Sequence, residues 1–308
     1  MQWNLNVQKQ FGNSFVVETM YQGSSGNQLI LFDQINARAP GTGNVQTLLP
    51  WPGLARVQNF DTTGHSTFHG ASIKLEQRPW HGLSYLVAYT FSKSIDNGSG
   101  FIEGRAWTDP NNKREGKAVS GFNIPHRFSA AYEYALPLGR GKAFGKDLPA
   151  IADKLIGGWG VRGITFLQTG LPQTPSMNLS RLGTCSTACS ARPDRIADGN
   201  LSKDERTLNR FYDPAAFRLL AAGGADRRVG SAGRNILVAP GYNNFDFQLF
   251  KNVKFKERHS VEFRWEMFNA FNHTNWGAPN VNLESADFGR ITSTAPPRIM
   301  QFVLRYDF

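Results

Sequence analysis

His259–Ser260–Val261–Glu262–Phe263–Arg264–Trp265–Glu266–Met267–Phe268–Asn269–Ala270–Phe271 alternates with a period of two. Val261, Phe263, Trp265 and Met267 fall on one side, and Glu262, Arg264 and Glu266 on the other. Successive side chains of a strand point to opposite faces, so the run predicts a strand with one apolar and one charged face. Asn244–Phe255 repeats the pattern, with Phe245, Phe247, Leu249, Val253 and Phe255 against Asp246, Gln248, Asn252 and Lys254. Arg298–Phe308 does the same, with Phe302, Leu304, Tyr306 and Phe308 against Gln301, Arg305 and Asp307.

Gln2–Phe11, Gly82–Ser94 and Arg127–Leu136 alternate as clearly, and Ser14–Gln22, Ser66–Arg78 and Gly158–Gly170 more weakly. The expectation is about nine strands, most of them near the 9–11 residues of a tilted membrane-spanning strand rather than the 5–6 of a soluble sheet. Composition agrees. The 23 Phe, 8 Tyr and 7 Trp come with 31 Gly and 16 Pro, the mix of short strands joined by turns. With 19% charged and 40% hydrophobic residues, the 308-residue chain is not a disordered polyelectrolyte. No window approaches the roughly 20 apolar residues of a spanning helix. Cys185 and Cys189 are too few for a disulfide-dense scaffold.

The connections sort by length. Gly12–Asn13, Pro79–His81 and Lys256–Arg258 read as tight turns after odd strands, whereas 23–65, 95–126, 171–243 and 272–297 read as long loops after even ones. Outer-membrane barrels alternate short periplasmic turns with long external loops in this way, and a soluble sandwich has no reason to. Pro137–Gly157 breaks the rule, being long and rich in Gly and Lys. Phe302, Leu304, Tyr306 and the terminal Phe308 form the aromatic closing strand that envelope barrel-assembly machinery reads; the plain alternative is a sheet strand that happens to end there. The start of the chain lacks the basic, apolar and cleavage-site elements of a secretory signal, so either the protein stays in the cytoplasm or its true N-terminus is missing.

Several strings resemble the closing strands of TonB-dependent receptors, and of the Oar-like subgroup in particular. They are Leu249–Asn252, Val261–His273, Phe288–Thr292, Pro297–Arg298 and Gln301, joined by Tyr89–Asn97, His126–Phe128, Trp159–Val161 and Gln168–Pro172. The resemblance spans nearly the whole chain. It implies an all-β antiparallel portion of a 22-stranded outer-membrane barrel, lined with polar residues and plugged by an N-terminal domain through which the TonB complex delivers energy. No plug, TonB-binding box or carboxypeptidase-regulatory-like domain is legible, so residues 1–308 are expected to be one barrel portion. Nine antiparallel strands cannot close, since the two edges would meet in parallel, and open edges in lipid cost several kcal/mol per unpaired group. The expected address is the Gram-negative outer membrane.

On this reading Lys254, Glu262, Arg264, Glu266 and Arg305 line the lumen, with Asp307 extending the ladder. Same-face residues two apart stand roughly 7 Å from each other, near enough for opposite charges to interact. The ladder is either a ligand path or plug-docking wall, or a charge-balanced lining of a wet interior. Phe245, Phe247, Leu249, Val261, Phe263 and Trp265 face lipid, and Trp3, Trp80, Trp159, Tyr85, Tyr134 and Tyr306 form interfacial girdles. Cys185 and Cys189 have poor zinc spacing, and an oxidising envelope favours a short disulfide, with free thiols as the alternative. His65 and His69 read as surface residues rather than metal ligands, and Gly139-x-Gly141 with Gly145 as a basic turn rather than a dinucleotide loop. Arg206–Phe217 suggests a short helix capped before Pro214 in the longest external loop, where an unknown ligand would be recognised.

No nucleophile elbow or phosphate loop is present, so neither enzyme activity nor a cofactor is expected. The net charge of +10 raises nucleic acid, but the aromatic residues sit on the apolar sides of strands and the basic ones, such as Lys113, Arg114, Arg227 and Arg228, in loops. Lipopolysaccharide phosphates are the expected partners there. Two alternatives stay open: an autonomous small barrel or pore, and a soluble β-sandwich acting as a carbohydrate-binding protein or adhesin.

Overall fold

The computed structural model describes residues 1–36, 40–44, 49–54, 57–100, 112–183, 191–255 and 259–308. Its frame is a single sheet. The long strands are β1 (Gln2–Phe11), β2 (Phe15–Gln34), β3 (Gln58–Trp80), β4 (Leu83–Asp96) and β5 (His126–Ala135), then β6 (Trp159–Gln168), β7 (Tyr242–Phe255), β8 (His259–Phe268) and β9 (Ile299–Asp307). Each pairs antiparallel with its neighbour in sequence, giving an all-β meander. Ala118–Val119 adds a short ladder beside the end of β4. Among the described residues β1 and β9 remain unpaired with each other, and the sheet is open.

Register carries the apolar side of every strand onto one face. Leu249 lies opposite both Trp265 and Val161, Phe263 opposite Leu304, and Trp265 opposite Phe302. Tyr134 pairs with Val161, Tyr85 with Tyr132, Leu75 with Val87, and Val17 with Leu75. A one-residue slip anywhere would flip that strand's apolar set onto the wrong face. Phe302 is 70% and Leu304 73% exposed, and among the described residues no second sheet covers this face. A two-layer sandwich is thereby ruled out. Where the face needs close approach it uses glycine: the Tyr132 ring lies across Gly163, its register partner, in the space a Cβ would fill.

The structure departs from the sequence expectations at the ends of strands. β2 and β3 run 20 and 23 residues, so much of 23–65 is a paired ribbon rather than loop. Gly23–Gln28 hides this because its Gly, Ser, Asn and Gln residues give no apolar face to read; its register breaks twice after Gly26, with Gln28 at φ 56°. The turn after β3 is His81–Gly82, both at positive φ as a two-residue hairpin requires, while Pro79 and Trp80 belong to the strand. β8 stops at Phe268 because Asn269 turns to φ 49°, its N–H bonded to Asp246 Oδ1 and its own Oδ1 accepting from His273 N–H. The link 137–157 holds a short helix, α1 (Ala150–Ile156). His65 and His69 lie within β3 rather than at its margin.

Gly163→Val drives Tyr132 off its partner strand and is expected to cost about 1–3 kcal/mol. A lowered guanidinium midpoint of the chain folded in phospholipid vesicles checks this, with Gly53→Ala, which meets no neighbouring atom, as the unchanged control.

Candidate functional site

The face opposite the aromatic one is polar and bears the charges expected of it. Arg264 sits between Glu262 and Glu266, at 3.4 and 3.5 Å, and Gln301 Nε2 donates to Glu266 Oε2 at 2.6 Å. Lys254 and Arg305 share this face by register, opposite Ser260 and Glu262. Arg305 turns along its own strand to Asp307 at 2.9 Å, rather than across to Glu262. The pattern continues outward, with Arg162 on Glu133 at 2.9 Å and Lys74 on Glu18 at 3.4 Å. The Arg162 guanidinium also covers the ring of Phe250, an apolar residue on the polar face, at 4.1 Å. Ser84, Glu133, Arg162, Asp246, Gln248 and Glu266 border a cleft of about 740 Å³ reaching from β3 to β8, so this face is the hollow one.

The aromatic face is organised in two tiers. Toward the long loops, Tyr21 Oη and His69 Nδ1 bond at 2.8 Å with Trp3 edge-on to the imidazole, and Tyr89 Oη and His126 Nδ1 bond at 2.7 Å beside Phe91. Toward the short turns, Phe255, His259, Tyr306 and Phe308 stack in series, with His259 Nδ1 and Tyr306 Oη 2.6 Å apart. Each amphipathic ring offers an apolar body and a hydrogen-bonding tip, the chemistry of a bilayer interface. Trp80, Trp159, Tyr85 and Tyr134 sit on this face near the short turns, and Phe245, Phe247, Leu249, Val261, Phe263 and Trp265 lie on it between the tiers.

Above the sheet the long connections fuse into one cap, which sequence patterning did not reveal. Residues 169–241 supply a core of Phe211, Tyr212, Ala216, Phe217 and Leu237, joined by Ile291 and Phe288 from the loop before β9. Tyr212 is fully buried, its hydroxyl donating to Gln173 Oε1 at 2.6 Å, and burial pushes its phenol well above the ordinary range. Arg181 binds Glu284 at 2.7 Å. Arg234 is bonded to Asp96, to Ser99 and to the Gly116 carbonyl, while buried Arg192 reaches Glu115 at 3.4 Å. The Arg181 and Arg234 ties bridge more than 100 residues of sequence, and no local period announces them. The helix expected before Pro214 instead begins at it: Asp213 caps a 3₁₀ turn over Pro214–Ala216, accepting from Ala215 N–H, because proline fits a first helical position and not a last. Cys185 and Cys189 lie outside the described residues.

Asp194 is the cap's electrostatic anchor. It accepts two bonds from Arg228 at 2.7 Å, one from Arg218 at 3.0 Å and one from Ser231 N–H at 3.1 Å. Arg228 chiefly, against the opposing effect of burial, holds its carboxyl far below the usual range.

An open, nine-membered meander with an aromatic convex face, a charged hollow face and a folded cap on the long-loop side is the wall of an outer-membrane β-barrel. The family model described as outer membrane beta barrel domain matches residues 1–301, and the chain belongs to that family. Its address is the Gram-negative outer membrane. The outer membrane transporter YddB from Escherichia coli superimposes with a TM-score of 0.50 at 10% identity, over 99% of this chain and 32% of that one. BauA, the ferric preacinetobactin receptor from Acinetobacter baumannii, gives 0.49 at 12% identity over 100% and 29%. The siderophore receptor PiuA from the same organism gives 0.48 at 12% identity over 100% and 28%. The likeness to YddB is one of fold, and the chain spans about a third of that transporter. No curated protein matches the sequence.

Because its folded pKa is lowered, Asp194 contributes stability that is complete above the ordinary Asp value of 3.8 and is lost as pH falls below it. Asp194→Asn is expected to loosen the cap by about 2 kcal/mol at neutral pH and to remove this acid sensitivity. Amide hydrogen exchange over 193–218 as a function of pH reads both effects.

Proposed function

We propose that the chain forms part of the wall of a TonB-dependent receptor of the Oar-like kind. It contributes hydrocarbon-facing surface, lumen lining and an external recognition cap, and catalyses no reaction. The observation that carries this is the pairing of one predominantly aromatic and aliphatic face, tiered at both ends, with an opposite face of paired charges. In lipid the two free edges need strand partners, which further wall supplies. The Oar-like assignment rests on the strings around Val261–His273 and Tyr89–Asn97. On this reading the plug, not the wall, engages TonB, and the ligand is met first by the cap. Phe302, Leu304, Tyr306 and Phe308 are the segment handed to the assembly machinery. Lipopolysaccharide phosphates meet loop cations of the cap such as Arg227, which is exposed.

The charge ladder is read as lining for a wet interior, since Arg264 is held from both sides by carboxylates and leaves little unneutralised charge to attract a ligand. A self-contained pore is the second reading, and the open sheet disfavours it.

Arginine placed at Phe263 or Phe302 is expected to cost about 2–4 kcal/mol in phospholipid vesicles, and at Gln301 close to nothing. Reversible guanidinium unfolding measures all three. Equal costs at the two faces would exclude the wall reading, and heat-modifiable migration with steady single-channel conductance of the chain alone would favour the pore.

A further inference from the structure

The link between β5 and β6 is long where a periplasmic turn is ordinarily short, and its helix displays its apolar side chains outward. Ile151 is 79% and Leu155 70% exposed, and as residues four apart they share one face of α1. Asp153 points the other way, its carboxylate accepting the Arg140 N–H at 2.5 Å. The helix is fastened to the aromatic face of the sheet. Lys251 Nζ donates to the Leu155 and Gly157 carbonyls at 3.0 and 2.6 Å, and Trp159 Nε1 donates to Leu155 O at 3.2 Å. Lys251 and Trp159 are register partners, in line with Leu249 and Val161. Lys251 is thus a cation on the aromatic face, as Lys9 is beside Phe11, and the C-terminal carbonyls of α1 provide it with partners, as cations at helix C-termini prefer.

We propose that α1 is an interfacial foot, inserting Ile151 and Leu155 among the glycerophospholipids of the periplasmic leaflet. The inference rests on the wall reading above, because it takes the face of Trp159 to be the lipid face. Two features select phospholipid as the occupant. The helix is continuous with that face through Trp159, which begins β6 at the short-turn end of the sheet, the end at which Tyr306 closes β9. The link also presents Arg140, Lys142, Lys146 and Lys154 against Asp147 and Asp153, an excess of exposed cations suited to anionic headgroups. The foot would fix the depth and tilt of the wall from below, as the cap does from above.

The test uses the full chain with Cys185 and Cys189 replaced by serine and one cysteine introduced at Ile151, Leu155 or Leu304. Each variant is labelled with an environment-sensitive fluorophore and reconstituted in phosphatidylethanolamine–phosphatidylglycerol vesicles carrying doxyl groups near the headgroup or deep in the acyl chain. Labels at 151 and 155 are expected to be quenched about twofold more by the shallow group than by the deep one, as for a helix lying at the headgroup–acyl boundary. The label at 304 is expected to favour the deep one. Quenching at 304 without quenching at 151 and 155 overturns the foot and leaves the wall standing. Blue-shifted but unquenched labels at 151 and 155 place a protein surface or a second copy over the helix, and overturn it equally. A label at 304 that no doxyl lipid quenches removes the wall reading, and the foot with it.

Discussion

Hydrocarbon offers no partner to a backbone N–H or C=O, and that single restriction governs the membrane portion of this chain. Each group must be satisfied within the sheet, which commits the chain to strands joined in sequence order, and strands in turn commit side chains to alternate between two solvents. Every interior strand meets the requirement with a ladder on both sides. The burden falls on β1 and β9, each paired along one side only, which is why an isolated open sheet is an incomplete answer to the problem the sequence solves.

Outside the bilayer the physics changes. The cap is held by small apolar clusters around Tyr212 and Leu182 and by arginine–carboxylate ties such as Asp194 with Arg228. Water is available there, so backbone groups need no continuous ladder and the chain turns freely through 3₁₀ segments and two-residue bridges. The hairpin of β2 and β3 crosses between these regimes, keeping its ladder while its apolar alternation fades beyond Gly23.

This difference decides what could be read in advance. The nine strands, their two faces and the Glu262–Arg264–Glu266 ladder were legible because alternation is local and strict wherever one face meets lipid. The extension of β2 past Gln22 was not, since Gly, Ser and Asn carry no facial preference there. Nor was the cap, whose decisive pairs, Arg234 with Asp96 and Arg181 with Glu284, join residues far apart in sequence. The link 137–157 was marked as anomalous by its length, but its attachment depends on Lys251, whose place on the apolar face reads as a flaw until Leu155 and Gly157 are seen beneath it. The roles of Cys185 and Cys189 rest on sequence alone.

The central claim is that the aromatic face touches lipid and the charged face touches water. Spin labels introduced one at a time from His259 to Phe268 in vesicle-reconstituted chain test it directly, by their relative relaxation with oxygen and with a water-soluble nickel chelate. A two-residue oscillation, with oxygen dominant at Val261, Phe263, Trp265 and Met267 and nickel dominant at Glu262, Arg264 and Glu266, is the predicted result. A flat profile, or one in which the odd positions are closed to both reagents, would contradict it by placing that face against protein.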